Sequence, residues 1–426
     1  MHQEKKTSFL PRHWASVILV GLAGACIGLG VVLRSIWLSW PNKYVFDEVY
    51  FPHMAAAFLN RQVIFDAHPP FGKYLIAIGI WVMGNNTYGW RIIPLLGGFT
   101  LVMVAGFLAK RIASNSGEKD TAMIGAATVA GICMAVAVAL DGHFIVYSRL
   151  GLMDGLLVLF MLLAYWSAWR GKTPTHMVIT AVLLGLCLAI KWPAAALFPV
   201  VWFISWRKHK NELLRALASL PISVGVYCLV IISAAYIEGS NPYTYFIWWH
   251  TSVWNYQLTL TEGHPWGSVW WTWPLMLKPV LFLRDTQADG SIRAIMALPN
   301  LISWWGSGLV VLGTIGWYLR ELLRGGGKKV LDHPTLPLIL AWAASWLPWA
   351  AVHRVLFMYH YLPAYIFALL VSSYWCGVLW KKKPWLVIVL LISLAVCTLY
   401  FARVLIAIPT APEWFTHNKV LPSWIY

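Results

Sequence analysis

Residues 381–405 read KKKPWLVIVLLISLAVCTLYFARVL. Three lysines precede an apolar run of about 20 residues, the length an α-helix needs to cross the hydrocarbon core of a bilayer. Ten further runs of this kind occur, of which the one at 194–206 is short and punctuated by Pro193 and Pro199, so it is either broken or re-entrant. We therefore predict an all-α polytopic membrane protein. The eleven predicted spans are 14–37, 92–109, 121–140, 152–169, 176–190, 194–206, 214–236, 300–319, 335–352, 361–380 and 385–405.

The composition of the 426 residues agrees with this prediction. Apolar residues make up 60% of the chain and charged residues only 11%, whereas a soluble domain has about 25% charged residues. So little polar surface cannot cover a water-soluble fold, which excludes soluble enzymes, disordered chains and fibrous repeats. The net charge of +16 would indicate nucleic acid as the partner of a soluble protein. In a membrane protein, basic loops set the orientation, so we expect membrane lipids and no nucleic acid as partners.

Basic residues are concentrated in every second loop between the predicted spans. Because short loops rich in Lys and Arg stay in the cytoplasm, this distribution predicts a cytoplasmic N-terminus and an outer C-terminus. Two long segments, 38–91 and 237–299, then lie together on the outer side of one transmembrane domain that comprises residues 1–426. Within the first segment, residues 49–60 are predicted to form a short interfacial helix. The basic residues assigned to the cytoplasmic side are Lys5, Lys6, Arg12, Lys110, Arg111, Lys119, Arg170, Lys172, Arg207, Lys208, Lys210, Arg215, Arg320, Arg324, Lys328, Lys329, Lys381, Lys382 and Lys383.

The first outer segment carries acidic residues in an apolar, aromatic setting. Asp47 and Glu48 are adjacent and follow Phe46, and Asp66, His68 and Lys73 come later in the same segment. Taken singly, Asp47 reads as a helix cap and Asp66 as a solvated turn residue. Together they indicate a site, because neighbouring carboxylates in a partly dry environment resist joint ionisation and one of them gains a raised pKa. Such a carboxylate can act as a general base.

Basic residues from separate segments are predicted at the same outer boundary. Arg149 lies five residues before Asp154, Lys191 ends a predicted span, and Lys278 and Arg354 lie in later outer segments. Ionisable groups at this depth are candidates for function, and an anionic lipid headgroup is the simplest shared ligand. Alternatively, Arg149 and Asp154 form an ion pair that only holds helices together, and Lys191 only extends its ammonium to the interface.

Aromatic residues dominate the second outer segment and the start of the tenth span. Aromatic faces with a few polar groups are suited to pack against a sugar ring or an isoprenoid chain. The predicted substrate-pocket residues here are His264, Trp270, Trp273, Tyr359, His360 and Tyr361.

Neither cysteine nor histidine spacing indicates a metal site. The six cysteines fall within apolar runs without a C-x-x-C pair, and the histidines lack an H-x-x-x-H spacing. A divalent metal ion is therefore possible but unsupported by ligand spacing, and we predict neither a metal site nor a disulfide framework.

Six short motifs among the acidic, basic and aromatic residues described above, taken in their order along the chain, resemble the protein O-mannosyltransferase family. This family has the C-type fold of membrane glycosyltransferases. The resemblance implies inverting transfer of a sugar, mannose in this family, from a polyprenyl-phosphate carrier to a hydroxyl group, at the extracytoplasmic face of a bacterial plasma membrane. It also implies that Asp47 is the catalytic acid of an Asp-Glu motif, with Glu48 its partner, and that Arg149 is important for activity. The motifs are 46–48, 68–73, 149–154, 191–192, 264–274 and 359–363.

The length of the second outer segment bears on the acceptor. Residues 237–299 leave no room for the soluble domain that eukaryotic members carry in this loop, so the chain resembles the short prokaryotic form. Protein Ser or Thr is the favoured acceptor, and a lipid acceptor, as in aminoarabinose transferases, is the main alternative. A lipid-linked-sugar transporter or flippase is disfavoured, because the acids cluster at one face and no internal repeat is seen. A non-catalytic subunit is disfavoured because Asp47 is present.

Overall fold

The structure is a computed structural model that describes residues 11–114, 124–171, 173–208, 217–260 and 262–425. Lys5, Lys6, Lys119, Lys172, Lys210 and Arg215, which entered the prediction of orientation, lie outside the described residues. The described helices are α1 (Arg12–Ser35), α2 (Phe51–Leu59), α3 (Phe71–Met83), α4 (Thr87–Ser114), α5 (Ala126–Leu140), α6 (Gly142–Arg149), α7 (Asp154–Arg170), α8 (Pro174–Ile190), α9 (Leu197–Lys208), α10 (Ser219–Glu238), α11 (Pro242–Thr259), α12 (Leu301–Leu323), α13 (Gly327–Asp332), α14 (Leu336–Trp346), α15 (Leu362–Trp380), α16 (Pro384–Leu405) and α17 (Pro412–His417).

The chain is a multi-pass membrane protein. Within the described residues, five helices are long and apolar enough to cross a bilayer: α1, α4, α10, α16, and α15 with the turn that precedes it. The pair α5 and α6, bent by 58° at their junction, makes a sixth if it counts as one span. Several predicted spans are shorter helices, among them α8 and α14, and the span predicted at 194–206 is divided between a 3-10 turn at Trp192–Ala196 and α9.

Asp141 causes the break between α5 and α6. Its backbone is extended, with φ −79° and ψ 126°, and its side chain accepts hydrogen bonds from the amides of His143 and Phe144, so that it caps α6. The other carboxylate oxygen accepts bonds from the Tyr365 hydroxyl at 2.8 Å and the Asn300 amide at 3.0 Å. Because Asp141 is fully buried and all these donors are protein groups, it joins α6 to α12 and α15 as part of the scaffold.

The second outer segment contains a β-hairpin, so the all-α prediction is wrong at this point. Strands β1 (Val280–Thr286) and β2 (Ile292–Ala297) pair antiparallel, with Val280 opposite Ala297 and an irregularity between Leu281 and Leu283. The turn contains Gly290 at φ 81°, a conformation that glycine adopts without strain. β2 packs against α6 and α16. The sequence predicts an aromatic loop with short interfacial helices at 237–299, and it does not predict these two short apolar strands.

The two outer segments meet at this hairpin. The ring of Phe46 stacks on that of Phe282 with centroids 4.2 Å apart and planes 5° apart, and Lys43 pairs with Asp285 at 3.2 Å. The predicted interfacial helix is present as α2, although Phe51, Met54 and Phe58 are buried against the protein. The first outer segment therefore contacts the hairpin on one side and, through Glu48 and Gly151, the connection between α6 and α7 on the other.

Candidate active site

Asp47 and Glu48 are neighbours in sequence but have different surroundings. They lie in a 3-10 turn at Phe46–Val49, and Glu48 is fully buried. Its carboxylate accepts two bonds from Arg91, at 2.8 Å each, and further bonds from the amides of Val45 at 3.0 Å and Gly151 at 2.6 Å. Four donors occupy the acceptor sites of this carboxylate, so Glu48 fixes the turn and has no capacity left for a substrate.

Asp47 occupies the accessible position of the turn. Phe46, directly before it, has φ 52°, a left-handed conformation that costs a non-glycine residue about 1–3 kcal/mol and is held here by the stack on Phe282. Within the described part of the chain, no group donates a hydrogen bond to the Asp47 carboxylate. Burial raises the pKa of Asp47 to about 7; nearby Lys191 opposes the shift, and Asp154 and Asp66 add to it. Asp47 is therefore a carboxylate that can accept a proton near neutral pH.

Two buried ion pairs flank Asp47. Lys191, which directly follows α8, lies 2.9 Å from both carboxylate oxygens of Asp154, the first residue of α7. Its ammonium also lies 5.7 Å from the ring centroids of Phe51 and Tyr359. An ammonium presents three donors, and this one keeps bonding capacity beyond Asp154. The alternative that Lys191 only extends to the interface does not fit this buried position.

The second ion pair joins Lys73 to Asp66 at 2.7 Å, and Lys73 also donates to the His68 carbonyl at 2.7 Å. Burial raises the pKa of Asp66, but Lys73 and His68 outweigh it, so that the pKa lies below its ordinary value. Burial, together with the charge of Lys191, lowers the pKa of His68 to about 3. Asp66 is thus ionised and His68 neutral at neutral pH, so His68 can both donate and accept one hydrogen bond.

A cavity of about 630 Å³ opens beside these groups. We call this cavity the first cavity. Its wall combines cations and aromatic rings. Cations are suited to bind a phosphate, and aromatic rings to pack against a sugar ring or an apolar chain. Its lining includes His68, Lys191, Trp192, Arg354, Tyr359 and His360.

A second cavity, of about 450 Å³, lies on the other side of Arg354. It is lined by His264, Ser268, Thr272 and Lys278, and Arg354 belongs to both cavities. The structure therefore separates Lys278 and His264 from the first cavity, although the sequence groups Lys278 with Lys191 and His264 with Tyr359 and His360. Burial lowers the pKa of Arg354, with tyrosines opposing the shift; the guanidinium nevertheless remains charged at neutral pH.

Arg149 bonds to the end of α1 in the structure. Its guanidinium donates to the carbonyl oxygens of Leu33 at 2.6 Å and Ile36 at 2.7 Å, with longer bonds to Arg34 and Trp37. These are the last carbonyls of α1 and the residues after it, which lack partners within the helix. Arg149 thus caps α1 from α6, and the predicted ion pair between Arg149 and Asp154 is wrong, because Asp154 pairs with Lys191 instead. The role of Arg149 as a phosphate ligand stays a prediction.

The predicted aromatic pocket residues divide into two groups. Tyr359 and His360 line the first cavity. Trp273 is fully buried and donates to Ser268 at 3.0 Å, and Tyr361 accepts a 2.7 Å bond from Trp342. Trp270 packs on Trp346 with centroids 5.4 Å apart. The last three therefore support the cavity walls from behind, because their rings complete the packing among α12, α14 and α15.

Arg91 is the functional-site residue that the sequence reading missed. It is fully buried in the first turns of α4 and reaches Glu48, 43 positions earlier in the chain. A lone arginine at the outer boundary of a predicted span was the available indication. Among the described residues, no group of three or more His, Cys, Asp or Glu side chains is arranged to hold a metal ion.

Two sequence models of known families match the chain. The dolichyl-phosphate-mannose-protein mannosyltransferase family matches residues 24–239, and the C-terminal four-TMM region of protein-O-mannosyltransferase matches residues 243–424. The chain belongs to this family. It is therefore a membrane glycosyltransferase, in agreement with the resemblance seen in the sequence.

Individual relatives agree with the family match. The polyprenol-phosphate-mannose--protein mannosyltransferase of Corynebacterium glutamicum is 24% identical over 84% of this chain and 79% of its own length. The Saccharomyces cerevisiae protein O-mannosyltransferase complex bound to the sugar donor superposes with a TM-score of 0.76 at 15% identity, over 99% of this chain and 93% of that one. ArnT from Cupriavidus metallidurans bound to undecaprenyl phosphate gives 0.57 at 14% identity, over 93% and 77%. These two structures show that the fold is shared.

Proposed function

We propose that this chain transfers mannose, with inversion, from a polyprenyl-phosphate-mannose donor to the hydroxyl group of Ser or Thr in a protein acceptor. The observation that carries the proposal is Asp47, a carboxylate of raised pKa without a hydrogen-bond donor in the described chain. It lies near the Lys191–Asp154 pair, and Lys191 of this pair lines the first cavity. Family membership supports the reaction type, and the nearness of Asp47 to Lys191 supports the proposed roles of base and phosphate-binding cation.

The proposed reaction is a single in-line displacement. The acceptor hydroxyl attacks the anomeric carbon, the carbon–oxygen bond to the carrier phosphate breaks, and Asp47 takes the hydroxyl proton as the new glycosidic bond forms. The leaving phosphate takes the electron pair, and Lys191 and Arg354 stabilise its charge. A charge-assisted hydrogen bond to phosphate is roughly twice as strong as a neutral one. The phosphate needs no proton to leave, so one base is sufficient.

The remaining site residues position the two substrates. Neutral His68, held in place through its carbonyl by Lys73, is suited to a sugar hydroxyl because it can donate and accept. Asp66 balances the charge of Lys73. Tyr359 and His360 offer ring faces to the sugar. The second cavity, with Lys278 and His264, opens on the opposite side of Arg354 and is the proposed approach of the acceptor.

The proposed orientation is the one that the basic loops predict. Eleven spans with a cytoplasmic N-terminus would bring both cavities to the extracytoplasmic face of a bacterial plasma membrane, where carrier-linked sugars and exported proteins meet. The contacts between Phe46 and Phe282 and between Lys43 and Asp285 support a common side for the two outer segments.

Reconstituted transfer tests the proposal. The purified full chain is incubated with radiolabelled polyprenyl-phosphate-mannose and either a Ser/Thr peptide or extracted membrane lipids as acceptor. We expect label in the peptide, and loss of at least about 10²-fold in rate for Asp47→Asn, because a general base contributes about 10²–10⁴-fold. Glu413→Gln, which removes an exposed carboxylate, is the matched control and should react normally. Label in lipid alone would overturn the choice of acceptor, and near-normal transfer by Asp47→Asn would overturn the choice of base.

A further inference from the structure

A third cavity lies among α5, α12, α15 and α16, within the helical part of the fold and separate from the two cavities at the active site. It has a volume of about 450 Å³, and none of its lining residues lines either of the other two. On α15 its wall extends from Leu369 to Leu379. Lys382, three residues after Leu379, lies at the end of the cavity next to Leu379. Ten residues of helix rise about 15 Å, so the cavity is an elongated groove along α15 that ends at a cation.

The wall of this groove is apolar despite its four serines. The hydroxyl groups of Ser307, Ser372 and Ser373 donate to carbonyls of their own helices at 3.0 Å each, and Ser303 also bonds to Tyr365. These hydroxyls therefore offer little to a polar ligand. Apolar side chains make up most of the remaining wall, among them Ile302, Val310, Leu369, Leu390, Leu391 and Leu394. A wall of this kind favours a hydrocarbon chain, since nothing in it compensates the desolvation of a polar one.

The end of the groove is basic. Lys381, Lys382 and Lys383 follow one another after α15, and Arg12, at the start of α1, donates to the Lys381 carbonyl at 3.0 Å. Lys382 is exposed and makes no ion pair or hydrogen bond through its ammonium with the rest of the described chain. A juxtamembrane cation attracts anionic lipid headgroups with about 1 kcal/mol per residue.

We propose that this groove binds an anionic phospholipid from the leaflet on the side of Lys382, with one acyl chain along α15 and its phosphate at the Lys382 ammonium. The apolar groove and the cation at its end together select this ligand: the choline group of a zwitterionic lipid would bring a second positive charge to Lys382 and weaken the contact, and a soluble anion would leave the groove unfilled. The site is independent of the proposed transfer reaction and, in the proposed orientation, lies towards the cytoplasmic side.

Gly306 offers a way to fill the groove without disturbing the helix. It lies on the groove wall, and a Cβ built there meets no heavy atom within 4 Å. Gly308, on the same helix, has equally open space but does not line the groove. Gly306→Leu should therefore block the acyl chain, and Gly308→Leu is the matched control. For the headgroup, Lys382→Gln removes the charge, and Lys328→Gln removes an exposed lysine elsewhere.

The test measures the thermal unfolding midpoint of the detergent-purified full chain while dioleoyl-phosphatidylglycerol or dioleoyl-phosphatidylcholine is added. We expect the anionic lipid alone to raise the midpoint in a saturable manner, since a ligand of the folded state stabilises it. Lys382→Gln should weaken the apparent affinity about fivefold. Gly306→Leu should abolish the shift, whereas both control variants keep it.

Native mass spectrometry provides the second measurement, because it counts retained lipid even if Gly306→Leu folds poorly. Retention of one phosphatidylglycerol by the wild-type chain and its reduction in Lys382→Gln would support the site. Equal effects of the two lipids, an unchanged response in Gly306→Leu, or displacement of the bound lipid by polyprenyl phosphate at equal concentration would overturn the proposal. The last result would assign the groove to the donor tail.

Discussion

Arg91 and Glu48 form a buried, two-pronged ion pair, with Nε of Arg91 2.8 Å from Oε1 of Glu48 and Nη2 2.8 Å from Oε2. The pair ties the turn that carries Asp47 to the first turns of α4. The two adjacent carboxylates therefore differ: Glu48 is fully paired, whereas Asp47 accepts no hydrogen bond from the described residues.

Glu48→Gln should lower stability more than it lowers chemistry. Removing one partner of a buried ion pair leaves an uncompensated charge, which costs about 3–5 kcal/mol. We expect a lower unfolding midpoint for Glu48→Gln and for Arg91→Gln, and a smaller loss in the double variant than the two single losses predict together. Unfolding and single-turnover transfer are measured on the same samples. A normal midpoint with transfer abolished would mean that Glu48 takes part in the reaction itself.

Arg149→Lys should also act through the fold. A lysine ammonium cannot reproduce the planar fork that reaches the carbonyls of Leu33 and Ile36. We expect a lower unfolding midpoint, with donor affinity unchanged in the folded fraction, measured by binding of labelled polyprenyl phosphate. A stable variant that binds the donor tenfold more weakly would restore the phosphate-binding role that the sequence indicated for Arg149.

The contrast between Arg149 and Lys191 shows what the sequence can reveal. Hydropathy identifies a multi-pass membrane protein, because it is a local property of the sequence. The acids and bases of the outer segments indicate candidate regions for the site in the same local way. Which cation meets which anion depends on how the helices pack. Arg149 bonds to carbonyls more than 110 positions away, and Lys191 to Asp154, 37 positions away. No local pattern encodes either pairing.

The β-hairpin and Arg91 were missed for a related reason. β1 and β2 are short, apolar strands whose neighbours are helices, so their composition merges with that of the aromatic segment around them. Arg91 has no charged neighbour in sequence; its partner Glu48 becomes visible only once α4 and the first outer segment are packed together.

Lys191→Gln should weaken donor binding. Loss of a hydrogen bond to a charged group costs about 1.5–3 kcal/mol, which is about tenfold or more in affinity. The single variant also leaves Asp154 without its partner, so the informative variant is Lys191→Gln combined with Asp154→Asn. This neutral pair should regain stability without regaining donor affinity in a polyprenyl-phosphate binding assay. Wild-type affinity in the double variant would exclude Lys191 as a phosphate ligand.

The proposed orientation predicts a labelling pattern in intact cells. Asn85 and Asp289 are exposed, one in each outer segment, and Lys328 is exposed beyond α12. We expect an impermeant maleimide to label Asn85→Cys and Asp289→Cys from outside, and Lys328→Cys only after permeabilisation. The chain with its native cysteines alone provides the background. Protection of either outer position in intact cells would contradict the proposed topology.

The pH profile of transfer should report the ionisation of Asp47. A base works only when deprotonated, and the pKa of Asp47 is raised to about 7 by burial, with Lys191 opposing the shift and Asp154 adding to it. The single-turnover rate should therefore rise about tenfold per pH unit below 7 and level off above it.

Asp154→Asn removes a negative neighbour, which lowers the pKa of Asp47, so its profile should reach the plateau at lower pH. Lys191→Gln removes a positive neighbour and should move the profile to higher pH. Glu413→Gln, far from these groups in sequence and exposed, should leave the profile unchanged. A profile that is flat between pH 5 and 9, or one that moves in the same direction in both variants, would show that Asp47 is not the group whose ionisation controls the rate.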